Sequence, residues 1–379
     1  MSLRRSCNDQ MRFLLALLLL CFTAAANGAA TETLAIGSKA PDFSLTGVDD
    51  RQYSLKDFES AKALVVIFTC NHCPTAQDYE ERIKKIAADY KEKGVALVAI
   101  SPNDPASVRL DELGYTDLSD SFDEMKIRAK EKAFDFPYLF GGGAELEAAS
   151  QAYGPVATPH AFLFDQDRRL RYVGRIDDSE REEFVKRRDL REAIDAVLEG
   201  KTPAVAQTKA FGCSIKWAGK EDEVTRFMAK LAKEPVSAEP VDVQGLAALR
   251  KGEGTKIRLV NFWATWCGPC ITEFPDLVEI NRMYRHRDFE MVTVAANYPD
   301  EKNAVLKFLT KQESSGKNLY FGSTDKYALM AAFDKDWSGA LPFTMLLGPK
   351  GEVLWKHEGA VDPLELKRKI VGALGRSMK

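Results

Sequence analysis

Residues 257–270 read I-R-L-V-N-F-W-A-T-W-C-G-P-C, an apolar run that ends shortly before two cysteines spaced C-x-x-C. The run from Ile257 to Phe262 predicts a buried strand. Leu277, Ile280 and Tyr284 follow at helical spacing, so a helix is expected to begin near the cysteines. A strand that passes into a helix at a cysteine pair predicts an α/β fold.

The same order of signals occurs earlier in the chain. An apolar run at 63–69 leads into Cys70-Asn71-His72-Cys73 and a helical pattern, and a second strand is expected at 95–100. Each copy closes with a proline before a further apolar run, at Pro159 in the first and Pro342 in the second. The repeat predicts two tandem domains, each a central mixed sheet flanked by helices and closed by an antiparallel hairpin.

The composition is that of a globular protein. The chain has 379 residues, of which 45% are apolar and 29% charged, with a net charge of −3. This excludes a disordered chain and gives no support for binding nucleic acid or an anionic membrane surface. We expect a signal peptide at 1–28, a first domain at 34–217, a linker at 218–235 and a second domain at 236–379.

The first residues resemble an export signal. Arg4, Arg5 and Arg12 precede an apolar run at 13–24, which is followed by small residues. Twelve residues are too few to cross a bilayer as a helix, which needs about 20. We therefore expect a periplasmic or otherwise extracytoplasmic protein that is soluble after cleavage.

Removal of the signal leaves two C-x-x-C pairs and the single Cys213. Where a strand gives way to a helix, we expect the first thiol of each pair at the helix N-terminus, where the helix dipole favours the thiolate. The thiolate attacks a disulfide, and the second thiol resolves the mixed disulfide. A zinc site is the alternative for paired C-x-x-C motifs, but each pair here follows its own strand and starts its own helix.

The segment from Asn261 to Cys270 resembles the active site of the thioredoxin fold, specifically of exported TlpA/ResA-like thiol-disulfide oxidoreductases. The resemblance implies that Cys267 is the nucleophile, that Cys270 is the resolving thiol and that Trp266 helps to bind substrate. No flavin or nicotinamide fingerprint accompanies the motif, so no cofactor is expected.

Two further residues of the second domain follow from the same resemblance. Glu273 matches the acidic residue of C-x-x-C-x-x-E and is a candidate to relay the proton of the resolving thiol, or else an ordinary solvated glutamate. Pro342 matches the cis-proline that packs against the disulfide and offers backbone to a substrate strand. Asn261 stands where cytoplasmic thioredoxins carry a buried aspartate.

The first domain resembles the redoxin group, of the peroxiredoxin-like AhpC/TSA type. The resemblance rests on A-P-D-F-S-L at 40–45, C-N-H-C-P at 70–74, Y-G-P-V-A-T-P at 153–159 and F-G-C-S-I-K-W at 211–217. It implies catalytic roles for Cys70 and Cys73 and a substrate-binding role for Pro159. Cys73-Pro74-Thr75 is similar to a peroxidatic site, but Cys70 stands where the hydroxyl of a threonine would help to hold peroxide. A thiol peroxidase with a fused thioredoxin reductant therefore stays as an alternative.

Two histidines near the first pair are compatible with several roles. A protonated His72 would favour a neighbouring thiolate, whereas a solvent-facing His72 would have no role. His160 follows Pro159, and Cys70, Cys73 and His160 together would make a copper site similar to that of SCO-like redoxins. We expect Cys213 to be a small buried residue rather than a third redox partner.

The sequence therefore predicts an exported thiol-disulfide oxidoreductase that uses two C-x-x-C sites. Its partners are expected to be protein disulfides and, by the resemblance, a membrane electron donor of the DsbD/CcdA kind. Because the two sites share one chain, the second domain is a candidate to pass electrons to the first.

Overall fold

A computed structural model describes residues 32–252 and 254–376, so the predicted signal peptide at 1–28 lies outside the described residues. Two sheets organise the chain. The first half is built on a seven-stranded sheet and the second half on a six-stranded sheet, each flanked by helices. No helix in the described ranges combines the length and apolar composition that crossing a bilayer requires.

The first sheet has the strand order β2-β1-β5-β4-β3-β6-β7. Its strands are β1 (Ser44–Gly47), β2 (Gln52–Ser54), β3 (Ala63–Phe68), β4 (Val95–Ser101), β5 (Tyr138–Phe140), β6 (His160–Phe164) and β7 (Leu170–Gly174). The helices of this half are α1 (Pro74–Lys91), α2 (Phe122–Glu131), α3 (Glu147–Tyr153) and α4 (Asp189–Leu198).

The second sheet has the order β13-β12-β9-β10-β11-β8. Its strands are β8 (Glu239–Val241), β9 (Ile257–Trp263), β10 (Phe289–Ala295), β11 (Lys317–Phe321), β12 (Phe343–Leu347) and β13 (Val353–Glu358). The helices here are α5 (Glu221–Leu231), which lies within the predicted linker, α6 (Val243–Lys251), α7 (Gly268–Tyr284), α8 (Lys302–Lys311), α9 (Lys326–Phe333) and α10 (Pro363–Leu374).

The two sheets share one central pattern, which confirms the predicted fold class. β3 runs parallel to β4 and antiparallel to β6, and β9 runs parallel to β10 and antiparallel to β12. Every residue of β3 is buried: Val65 and Ile67 pack with α1 and α4, while Val66 and Phe68 pack in the cluster on the other face. A strand covered on both faces needs a continuous apolar run rather than an alternating one, as the sequence has.

The two halves meet at the C-terminal end of α7. Val108 and Leu113 of the first half share a hydrophobic cluster with Met283 and Tyr284 of α7, and the Tyr284 hydroxyl donates to the carbonyl oxygen of Thr116 over 2.7 Å. The contact places the α7 end that lies away from Cys267 against the first half.

Charged groups surround this apolar contact. Asp117 is buried in the first half, and its carboxylate lies 2.7 Å from Nη1 of Arg376 and 3.3 Å from Nε of Arg368, which belongs to α10. Arg376 also donates to Gln77 of α1 over 2.8 Å. The end of the second half is thereby tied to the helix that follows the first cysteine pair.

Candidate functional site: two thiol centres

The second centre lies where β9 gives way to α7. Cys267 is the N-cap residue of α7 and forms a disulfide with Cys270, one turn into the helix. Its Sγ accepts the backbone N–H of Cys270 over 3.3 Å. Trp266 is 60% exposed, whereas Cys270 is buried. On reduction, the N-terminal amides and the helix dipole favour a thiolate at Cys267 rather than at Cys270.

Glu273 lies one further turn along α7 and is buried, so it is not a solvated surface residue. Its two carboxylate oxygens accept hydrogen bonds from Asn261 Nδ2 and from the backbone N–H of Val361, each over 3.0 Å. Burial raises the pKa of Glu273 above its ordinary value, although these two donors oppose the shift. A carboxyl whose pKa is raised in this way is suited to exchange a proton with the neighbouring Cys270.

The loop before β12 brings Leu341 and Pro342 to the same centre. The Leu341–Pro342 bond is cis, as is the Thr158–Pro159 bond of the first half. Leu341 packs against the hydrophobic cluster that contains Cys267 and Cys270. Together with the exposed Trp266, this loop gives the disulfide an apolar border open to a partner.

The cysteine pair of the first centre lies at a different position relative to its sheet than the pair of the second centre, as the strand pairing shows. Phe68 of β3 pairs with the residue that follows Pro159, and Phe262 of β9 pairs with the residue that follows Pro342. Five residues beyond Phe68 lies Cys73, and five beyond Phe262 lies Cys267. Cys73 is therefore the counterpart of Cys267.

This register corrects the prediction that the first thiol of each pair begins the helix. In the first half the second thiol, Cys73, is the N-cap residue of α1, and its Sγ accepts the N–H of Ala76 over 3.4 Å. Ala76 occupies the place that Cys270 holds in the second half, and Cys70 lies before the helix. The two C-x-x-C motifs share spacing but not position in the fold.

Cys73 has the environment of a thiolate. Burial by itself would raise the pKa of Cys73, but hydrogen bonds from the Cys213 and Cys70 thiols, the Ala76 N–H and the nearby charge of His72 hold that pKa well below its usual value. The pKa of Cys70 is raised, first by burial and then by its hydrogen bond to Cys73. Of these two thiols, Cys73 has the lower pKa.

His72 is buried and not solvent-facing. Its Nδ1 lies 2.5 Å from Oδ2 of Asp120, and the Asp120 carboxylate also accepts the backbone N–H groups of Asn71 and His72 and the side-chain amide of Asn103. Burial favours the neutral imidazole, but the charge and hydrogen bond of Asp120 raise the pKa of His72. The imidazolium form supports the thiolate at Cys73.

Comparison with known proteins identifies the family of the chain. The Redoxin family model matches residues 35–194 and 245–372, which are most of the chain. The chain belongs to the Redoxin family.

Among Redoxin-related proteins, the chain is 30% identical over 147 residues to "Thiol:disulfide interchange protein CycY" of Rhizobium leguminosarum, covering 38% of this chain and 72% of that protein. It is 31% identical over 154 residues to "Thiol:disulfide interchange protein HelX" of Rhodobacter capsulatus, covering 40% and 74%. A crystal structure of a hypothetical protein from Sinorhizobium meliloti is 34% identical with a TM-score of 0.43, covering 49% of this chain and 96% of that one. The predicted family and the predicted class, thiol-disulfide oxidoreductase, are confirmed.

The alternative copper set of Cys70, Cys73 and His160 is not among the metal-competent groups of the described residues. Among the described residues, the His, Cys, Asp and Glu side chains whose ligand atoms all lie within 4.8 Å of one another are Cys70, His72 and Asp120, and His160 is not among them. His160 Nδ1 accepts the backbone N–H of Val156, and burial lowers the pKa of His160 to about 4. The carboxylate oxygens of Asp120 already accept hydrogen bonds. Cys70, His72 and Asp120 therefore form a His72–Asp120 ion pair beside a thiol rather than a set of vacant metal ligands.

Cys213 does not behave as the small buried residue that the sequence suggested. It is partly exposed, and it packs against the cluster that contains Cys70 and Cys73. It lies 140 residues from Cys73 in the sequence, so no local motif connects the two. The sequence held one indication that Cys213 belongs to this centre: it lies in F-G-C-S-I-K-W, one of the segments by which the first domain resembles the redoxin group.

Proposed function

We propose that the chain is an exported thiol-disulfide oxidoreductase, with domains at 34–217 and 236–379, whose Cys267–Cys270 pair exchanges with disulfides of other proteins. The observation that carries the proposal is the disulfide at the N-terminus of α7, bordered by the exposed Trp266 and by the Pro342 loop. The printed names of the relatives, thiol:disulfide interchange proteins, support it.

The reaction follows from the positions of the two sulfurs. In the reduced centre the Cys267 thiolate attacks one sulfur of a substrate disulfide, and the other substrate sulfur leaves as a thiolate. Cys270 then loses its proton toward Glu273 and attacks Cys267, which releases the second substrate thiol. The substrate disulfide gains two electrons, and the Cys267–Cys270 disulfide is restored.

Reduction of insulin by dithiothreitol tests this assignment. Cys267→Ser should abolish the catalysed rate, and Cys270→Ser should trap a mixed disulfide with the substrate. Cys73→Ser is the matched control, since it removes a thiol from the other centre and should leave the rate unchanged. Full activity of Cys267→Ser would refute the proposal.

Export and the electron source are part of the same proposal. The basic and apolar N-terminal pattern supports passage to an extracytoplasmic compartment, and a membrane donor of the DsbD/CcdA kind would supply electrons there. Fractionation of cells, with N-terminal sequencing of the chain from the extracytoplasmic fraction, tests the first point. A chain recovered intact from the cytoplasm would contradict it.

We also propose that electrons pass from the second centre to the first. The halves touch at the Tyr284 end of α7, whereas Cys267 lies at the other end of this 17-residue helix, about 25 Å away at 1.5 Å per residue. Exchange therefore requires the halves to part and reorient. Replacing Cys267 and Cys270 together with serine should stop reductive recycling of the first centre, and unchanged recycling would refute the relay.

Peroxide reduction is a second candidate for the first half. It is favoured by one observation, that the cysteine of Cys73-Pro74-Thr75 is the one at the helix N-terminus. The Cys73 sulfur is buried. Its thiolate would attack one oxygen of the peroxide, the O–O bond would break, the other oxygen would leave as water after taking up a proton, and Cys73 would become a sulfenic acid. Peroxide consumption lost in Cys73→Ser and kept in Cys70→Ser would support this activity, and its persistence in Cys73→Ser would exclude it.

A further inference from the structure

The first centre contains three thiols rather than two. Cys70 and Cys73 belong to one small buried cluster, and Cys213 packs against it. Cys70 and Cys73 are buried, while Cys213 is partly exposed. A partner protein that approaches this centre therefore meets Cys213 first.

The backbone holds Cys213 where it is. Thr158, directly before Pro159, forms an antiparallel bridge with Cys213, in which the Thr158 N–H donates to the Cys213 carbonyl over 3.0 Å. The Sγ of Cys73 lies 3.3 Å from the carbonyl oxygen of the same Thr158. Among the described residues, Leu341 has no such bridge in the second half.

Gly212 shows how closely the segment is docked. Its φ is +141°, and a Cβ built on it would lie 2.0 Å from the carbonyl oxygen of Thr158. Only glycine fits this approach, since any side chain would strike backbone. Further upstream in the same segment, the Ala206 carbonyl accepts the Val173 N–H of β7 and the Thr208 N–H donates to the Val173 carbonyl, so the segment that carries Cys213 is anchored to the sheet.

We propose that Cys213 is a redox-active cysteine and that the working disulfide of the first half joins Cys73 to Cys213. The segment that carries Cys213 lies along the Thr158 backbone, in the place where the second half leaves its own loop open to a partner strand. Cys70 then acts as a positioning residue that donates a hydrogen bond to the Cys73 sulfur. This inference deepens the proposed disulfide exchange and rests on it.

A thiolate of a partner dithiol attacks the Sγ of the partly exposed Cys213, the Cys213–Cys73 bond breaks, and the electron pair stays on Cys73 as a thiolate. The partner's second thiolate attacks its own sulfur in the mixed disulfide, and Cys213 leaves and takes up a proton. The partner loses two electrons and becomes a disulfide, and the first centre becomes a dithiol; the reverse steps reduce a partner disulfide. Cys73 is the better leaving group because its thiolate is the more stabilised of the two, so the partner thiolate is expected to attack the sulfur of Cys213.

Peptide mapping of the full chain tests the pairing. The chain carries Cys267→Ser and Cys270→Ser to silence the second centre, is oxidised with glutathione disulfide, and is digested with trypsin without reduction. Cys70 and Cys73 fall in one tryptic peptide, 63–82, and Cys213 falls in another, 210–216. A Cys73–Cys213 disulfide therefore links two peptides, whereas a Cys70–Cys73 disulfide stays within one.

We expect the linked pair 63–82/210–216, retained in Cys70→Ser and lost in Cys73→Ser. Gly212→Ala leaves every thiol in place but displaces the segment, and should also lose the link. An internal Cys70–Cys73 disulfide with a free Cys213 would overturn the inference without touching insulin reduction at Cys267. If insulin reduction did not depend on Cys267 while the Cys73–Cys213 link was still found, the proposed function alone would be overturned.

Discussion

Removal of Cys70 tests which sulfur of the first centre is ionised. The Cys73 sulfur accepts a hydrogen bond from the Ala76 N–H, and the neighbouring Cys70 and Cys213 thiols lower its pKa. A hydrogen bond to a charged group contributes about 1.5–3 kcal/mol, and one pKa unit corresponds to about 1.36 kcal/mol. Cys70→Ala should therefore raise the pKa of Cys73 by about one to two units, and Cys70→Ser, which keeps a hydroxyl donor, by less.

The assay is the ultraviolet absorbance of thiolate, followed against pH in reduced chains that lack Cys267 and Cys270. This reading does not depend on access of a reagent to a buried sulfur. At pH 7 an ordinary cysteine is only about 3% ionised, and the lowered pKa of Cys73 should give this centre a larger thiolate signal than that. Cys73→Ser should remove that signal. A thiolate that survives in Cys73→Ser and disappears in Cys70→Ala would refute the register that places Cys73 at the helix N-terminus.

Three further outcomes follow from buried polar contacts. Asp120→Asn removes the charge that raises the pKa of His72, so His72 should carry less positive charge and the pKa of Cys73 should rise. The same absorbance titration measures this pKa, and an unchanged titration would contradict the role of His72. Burial raises the pKa of Glu273, so the folded chain should lose stability as the pH rises from the unfolded pKa of about 4.3 through the higher folded pKa. Glu273→Gln should lack this loss when both chains are unfolded with denaturant at the same series of pH values. An equal loss in both chains would contradict the raised pKa of Glu273. Tyr284→Phe leaves the Thr116 carbonyl without its donor and should cost about 1–3 kcal/mol of the free energy of unfolding, and a cost near zero would contradict the contact.

The sequence predicted the second centre closely because its information is local. An apolar strand, Cys-Gly-Pro-Cys and an amphipathic helix are contiguous, so the N-cap position of Cys267 and the turn that carries Glu273 follow from spacing alone. The hydrogen-bond partners of Glu273 could not be predicted from this local pattern, because Asn261 and Val361 come from other parts of the fold.

The first centre was misplaced by three residues because the shared C-x-x-C spacing was taken for shared position. A signal for the correct register was present in Pro74. Proline is favoured at the first helical residue, which makes the residue before it, Cys73, the N-cap. The buried contact of His72 with Asp120 and the approach of Cys213 depend on loops from distant parts of the chain, and no period or motif in the sequence specifies them.

The charges around Asp117 make the joint between the halves sensitive to its medium. Two of its arginine partners, Arg368 and Arg376, are each more than one-third exposed, so dissolved ions reach them readily, whereas charge screening does not act on the apolar centre of the joint. Raising ionic strength should loosen the rim without unfolding either core. A cell compartment whose salinity varies would then set how often the two redox centres are free to meet, with no ligand or modification needed as a trigger.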